Sequence, residues 1–148
     1  MDGDEDLALP VLLLSAAAAL VDAVQAGVAA AGYDDLRPAH GFAFARLAGG
    51  GTVGDVAAHL GVTKQAASQL VEELLRKGYV TRVTHPADAR ARLITLTERG
   101  RAATRAADAA AARAVRDWTA VLGPARVKAL THDLARVAPA GPLRPAAW

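Results

Sequence analysis

The chain of 148 residues has no cysteine. That excludes a disulfide framework, a thiolate metal site and a thiol-oxidation switch, and it fits a cytoplasmic protein. Aromatic residues are scarce, with two each of Trp, Tyr and Phe. A surface that grips single-stranded nucleic acid by stacking needs more rings than that. The four histidines, His40, His59, His85 and His132, fall at no metal-binding helical spacing. No metal and no cofactor are therefore expected. Ser15 and Ser68 have no base-and-acid arrangement near them in sequence, and Asp34-Asp35 reads as a loop or helix-start pair, so the chain is not expected to be an enzyme. The glycines at 49–51 lack the Lys-Ser/Thr ending of a phosphate loop and read as a flexible break.

One apolar run, LALPVLLLSAAAALV at residues 7–21, invites a membrane reading. The residues before it are acidic (Asp2, Asp4, Glu5, Asp6), the opposite of a secretory leader. The run is interrupted at Asp22 and Gln25, short of the roughly 20 apolar residues of a span. It reads as a buried or partner-facing helix over 7–32, with Pro10 in its first turn, and no membrane association is expected.

Alanine and unevenly placed charge are abundant. Hydrophobic residues make up 53% of the chain, much of it alanine, which favours helices. The net charge of +2 hides a gradient: residues 1–62 carry −6, residues 63–105 carry +5, and residues 106–148 carry +3. Positive charge begins where a phosphate-binding surface would need it, at the second helix of a helix pair.

That pair is the centre of the reading. Val53 to Leu60 and Thr63 to Lys77 form two helices joined by almost no linker. Ala57 and Gly61 supply the small residue and the left-handed turn that a steep crossing demands. Ala67, Leu70, Val71, Leu74 and Leu75 form the apolar stripe of the second helix. Its opposite face, near the N-terminus, carries Thr63, Lys64, Gln65, Ser68 and Gln69, side chains that can donate to base edges or phosphates. Thr63 is placed as N-cap, and Gly78 fits the position after the C-cap. Two short strands follow, Tyr79 to Val83 and Arg92 to Leu96, around a loop flanked by Arg82, Arg90 and Arg92. An arginine at such a tip can enter the minor groove, and Asp88 is expected to hold the Arg90 guanidinium. A helix from Arg37 to Ala48 precedes the pair. A long helix from Glu98 to Leu122, capped by Thr97, follows it, with a last helix over Ala125 to Val137 and an irregular, proline-rich tail. Trp118 is expected in the core or at an interface. His40, close to Phe42 and Phe44 in sequence, is a candidate for lining an effector pocket together with Phe44.

The run GVTKQAASQLVEELLRKGYVTRVTHPADARARLITLTERG, residues 61–100, resembles the winged helix of the MarR family of transcriptional regulators. The resemblance is carried by Asp88-x-Arg90, by Leu96-Thr97-x-x-Gly100 and by the LLRKGYV helix end. It implies a mainly α fold with a small β wing, in one domain over 1–148. Residues 7–36 and 98–138 would be dimerisation helices, and 37–97 the winged helix-turn-helix region. It also implies an obligate homodimer on a pseudo-palindromic operator of double-stranded DNA. Lys64 to Gln69 would enter the major groove, and Arg90, supported by Asp88, the minor groove. Many members release DNA on binding small aromatic or phenolic anions between the dimerisation helices and the winged helix. The chain departs from the pattern at Ala66-Ala67, where many relatives carry a hydroxyl residue. The expected protein is a DNA-binding regulator, and a repressor by occlusion of a promoter. The alternatives are a helical interaction protein that has lost DNA binding and a small enzyme with a dispersed site. The basic stretch Lys64 to Arg105 speaks against the first, and the missing nucleophile or metal constellation against the second.

Overall fold

A computed structural model describes residues 3–140. The order of elements is α1 (Gly3–Ala30), α2 (Pro38–Leu47), α3 (Val53–Leu60), α4 (Lys64–Arg76), β1 (Val80–His85), β2 (Asp88–Leu96), α5 (Glu98–Leu122) and α6 (Pro124–Val137). The fold is mostly helical with one two-stranded antiparallel sheet, the expected class. Most of the tail beyond 138 lies outside the described residues.

α3 and α4 cross at Gly61, whose φ of 65° is the left-handed conformation the tight turn requires. Its N–H, with that of Val62, satisfies the last carbonyls of α3 (3.3 Å to Ala58 O and 3.1 Å to Ala57 O). Ala67, Val71 and Leu74 of α4 are fully buried against Val56 and Leu60 of α3, and Leu70 and Leu75 are partly buried beside them.

The glycine segment at 49–51 is not a loose break. Gly51 pairs with Ile94 of β2 in both directions (N to O 3.0 Å, and 2.7 Å in return), so it acts as a one-residue third strand. Arg46 fastens it, donating to Gly50 O at 3.3 Å and pairing with Asp55 at 3.3 Å. Thr52 then opens α3 with a reciprocal cap: its N–H donates to Asp55 Oδ2 at 2.9 Å and its hydroxyl accepts from Asp55 N at 3.1 Å.

The hairpin is longer than the sequence suggested. β1 and β2 pair from Val80–Leu96 to Thr84–Arg92, then slip to His85–Asp88. Only Pro86 and Ala87 are left to turn, and Ala89 to Ala91 bulge out of the ladder.

The junction between hairpin and α5 is tight. Thr97 caps α5 by accepting from Gly100 N at 3.2 Å, while its own hydroxyl donates to Gly78 O at 2.6 Å. Its backbone N–H donates to Tyr79 O at 3.0 Å. The Leu-Thr-x-x-Gly spacing is thus a cap whose threonine serves two turns and whose glycine lets a backbone approach.

α1 begins at Gly3, so Pro10 lies inside the helix rather than in its first turn. There it removes one ladder hydrogen bond. Leu7–Ala30, 24 residues with mean hydropathy 2.2, is long and apolar enough to cross a membrane by length and composition. Asp22 is the one charged residue within that stretch. The two ends of α1 differ. Leu7, Leu9, Leu12 and Leu14 are more than half exposed, whereas Val28 is buried and Val24 packs on the core. Its second half rests on α5 so closely that a Cβ at Gly27 would stand 2.4 Å from Ala110 Cβ. Trp118 on α5 is half-buried.

Candidate nucleic-acid interface

α4 presents its polar N-terminal face to solvent. Thr63, Lys64, Gln65 and Gln69 are exposed, and Ser68 is half-buried. Thr63 spends its hydroxyl on the helix itself, accepting from Ala66 N at 3.1 Å. Lys64 makes no ion pair among the described residues. The α4 N-terminus carries partial positive charge from its unpaired N–H groups, which adds to that of Lys64.

The hairpin carries Arg82, Arg90 and Arg92, all exposed. Arg90 and Arg92 have no ion-pair partner among the described residues. Arg82 is different, because its guanidinium pairs with Glu72 of α4. It is therefore engaged within the protein and ties β1 to the helix. Glu72 was invisible to sequence reasoning, since its partner lies ten residues on, across a turn and a change of element. Asp88 does not hold the Arg90 guanidinium as expected. Its Oδ1 accepts from the Arg90 backbone N–H at 2.9 Å, an Asx-type bond that shapes the bulge and leaves the guanidinium unengaged. His85 works alike on the other side of the turn, its Nδ1 accepting from Ala87 N at 3.0 Å.

Behind α4 lies a charged cluster that the sequence did not announce. Glu73 accepts from Lys77 at 2.9 Å and from Arg37 at 2.7 Å, and its Oε2 lies 3.3 Å from His40 Nε2. His40 is fully buried. Its Nδ1 accepts from Arg37 N at 2.9 Å, so Nε2 carries the proton toward Glu73. Burial, above all, pushes His40 below its usual value and keeps it neutral. The Lys77 hydrogen bond foremost, then Arg37 and His40, pulls the Glu73 carboxyl down to about 2 against the opposing effect of its partial burial.

Both groups take up a proton less readily in the folded protein, so both signs agree. The stabilisation from Glu73 is complete above its ordinary 4.5 and is lost as pH falls from there toward about 2. That from neutral His40 erodes as pH falls below its ordinary 6.5. We expect the melting temperature to fall on acidification across the lower window, and Glu73→Gln to flatten that fall. An unchanged acid profile in Glu73→Gln would refute the assignment.

α1, α2 and α5 leave a cavity of about 490 Å³ between them. Leu20, Val24, Leu36, Phe42, Phe44 and Ala107 form much of its wall. Phe44 therefore lines it, but His40 does not. On a helix, residues 40 and 44 share the inward face, and His40 is sealed there by Arg37 and Glu73. No group of three or more metal-ligating side chains occurs among the described residues.

A helix pair with a polar exposed N-terminal face, followed by a hairpin with unpaired arginines, defines a winged helix-turn-helix DNA-binding domain. A sequence model of the MarR family matches residues 35–91, from the start of α2 into the hairpin. The likeness to the MarR family thus covers the helix-turn-helix and most of the hairpin. Solved structures agree over nearly the whole chain. RV1404 from Mycobacterium tuberculosis superposes with a TM-score of 0.76 at 23% identity, covering 95% of each chain. Sco3205 from Streptomyces coelicolor, a MarR family regulator solved in complex with DNA, gives 0.67 at 22% identity, covering 93% of this chain and 91% of that one. CouR from Rhodococcus jostii RHA1, solved with p-coumaroyl-CoA, gives 0.68 at 25%, covering 92% and 95%. Likeness at this level of identity speaks for the fold. Comparison with curated protein sequences finds no match.

Proposed function

We propose that the protein is a homodimeric repressor that grips a pseudo-palindromic operator and releases it when a small molecule enters the cavity between α1, α2 and α5. The observation that carries the DNA reading is the exposed, unpaired cation set: Lys64 at the head of α4, and Arg90 and Arg92 on the hairpin. Gln65, Ser68 and Gln69 would read base edges in the major groove, with Thr63 and Arg92 against phosphates. Arg90 would enter the minor groove. Arg82 and Asp88 act indirectly, Arg82 by fixing the hairpin against α4 and Asp88 by shaping the bulge that presents Arg90.

Dimerisation is supported by the apolar surface that one chain leaves uncovered. Leu7, Leu14, Val121 and Val137 are 71%, 72%, 84% and 76% exposed, on the three helices outside the winged region. A soluble regulator needs that surface covered, and a second copy would cover it symmetrically. Sedimentation is expected to show a dimer at micromolar concentration; a stable monomer there would remove the two-half-site arrangement.

Binding to DNA from the chain's own promoter region should weaken steeply with salt, because phosphate contacts release counterions. Arg90→Ala should cost about 1–3 kcal/mol of operator affinity with helicity unchanged. Lys64→Ala should weaken all sequences alike and lower the salt slope by about one. Operator binding by Arg90→Ala as tight as the parent's would defeat the wing assignment.

A further inference from the structure

We propose that the cavity between α1, α2 and α5 takes a lipophilic amine in its protonated form, and not an aromatic acid. This rests on the ligand-released reading above and adds the ligand's charge and hydrogen-bonding class. The walls decide lipophilicity, because they are aliphatic and aromatic over most of their area and a cavity of about 490 Å³ suits a compact ring system.

The few polar groups decide the charge. Four polar or charged side chains line the cavity: Gln25, Arg37, Thr104 and Asp108. Three of them already donate elsewhere. Gln25 Nε2 donates to Leu36 O at 2.9 Å, and Thr104 Oγ1 donates its one hydrogen to Gly100 O at 3.0 Å. The Arg37 guanidinium donates to Glu73 at 2.7 Å, so it is paired with a carboxylate on α4 that it shares with Lys77. The fourth, Asp108, is exposed on α5 and has neither ion pair nor hydrogen bond among the described residues. Arg105, one turn before it, is committed to Glu98 at 2.8 Å. Open toward a guest are the acceptors Gln25 Oε1, the Thr104 oxygen and the Asp108 carboxylate, besides the second Gln25 N–H and the Arg37 N–H groups not used on Glu73; Asp108 is the one charge among them without a partner. An anionic guest would meet an uncompensated like charge at the mouth and no unengaged cation. A protonated amine would meet a carboxylate at the mouth and an apolar bed for its rings.

The test is calorimetric titration of the full-length protein at neutral pH with three probes on one ring system: 1-naphthylmethylamine, 1-naphthalenemethanol and 1-naphthoate. The amine should bind tightest, the alcohol less tightly and the carboxylate least, with amine and carboxylate about tenfold apart, the scale of a rim charge acting in both directions. Asp108→Asn should bring the amine to the level of the alcohol, and Asp108→Lys should place the carboxylate ahead of the amine. Asp108 holds no partner, so neither variant disturbs a contact of the fold. Ala107→Trp, which fills the cavity, should abolish binding of all three. If the carboxylate binds the parent as tightly as the amine, or if amine and alcohol bind alike, the charge inference is wrong and the ligand-released reading survives. If none of the three binds, both fail together, since the cavity is then closed in the assembled protein.

Discussion

Gly100→Ala should lower the melting temperature by roughly 10 °C, corresponding to about 3 kcal/mol. The methyl group has nowhere to go. A Cβ at position 100 would stand 2.2 Å from the carbonyl oxygen of Tyr79, 3.2 Å from its carbon and 3.3 Å from Leu96 Cβ. The obstacle is backbone, and it cannot step aside, because Tyr79 O accepts from Thr97 N at 3.0 Å and Tyr79 N donates to Leu74 O at 3.0 Å. Relief therefore requires α5 to lift from the hairpin, which strains the Thr97 cap and its bond to Gly78. A control substitution at Gly41 isolates the cause. It lies inside α2 with nothing within 4 Å of where its Cβ would be, so Gly41→Ala should stabilise by about 0.5–1 kcal/mol. Thermal melts by circular dichroism measure both. A Gly100→Ala protein melting with the parent would mean that the close approach is not a constraint.

The second large effect is expected at Tyr79, the largest fully buried side chain among the described residues. Its ring meets Phe44 at 5.7 Å and Tyr33 at 6.2 Å between centroids, and the Arg99 guanidinium lies 4.5 Å over it. Its hydroxyl donates to Asp35 Oδ1 and accepts from Arg99 at 3.1 Å. Burial first, then the Asp35 carboxylate, pushes the phenol up to about 12, so it remains a donor throughout the working range. Tyr79→Ala should cost about 3–5 kcal/mol, the scale for emptying an aromatic site. Tyr79→Phe keeps the packing and strands two polar partners at the half-wet edge, costing about 1–2 kcal/mol. Denaturant melts of the two variants separate packing from hydrogen bonding. Equal costs would place the stability in the hydroxyl and refute the packing account.

The parts of this fold that were legible in the sequence are those written locally. The limits of α5 follow from Thr97 at one end and Gly123-Pro124 at the other. The tight turn follows from Gly61, and the α4 stripe from its helical period. What escaped was decided by partners distant in the chain. The glycines at 49–51 look like slack until Ile94 is found beside them. Arg82 looks like a DNA contact until Glu72 takes it. His40 looks like a pocket residue because Phe42 and Phe44 are its neighbours in sequence, yet the helix turns it toward Glu73. Thr63, Lys64, Gln65 and Gln69 lie on the exposed face the pattern implied.

The seam at Gly100 has a mechanical meaning. α5 spans 25 residues, about 37 Å at 1.5 Å per residue, and one end of it is clamped to the hairpin without compliance. It is thus a lever with a welded fulcrum. A tilt of about five degrees displaces its free end by about 3 Å, and a displacement imposed at that end reaches the hairpin through the Thr97 and Gly100 contacts.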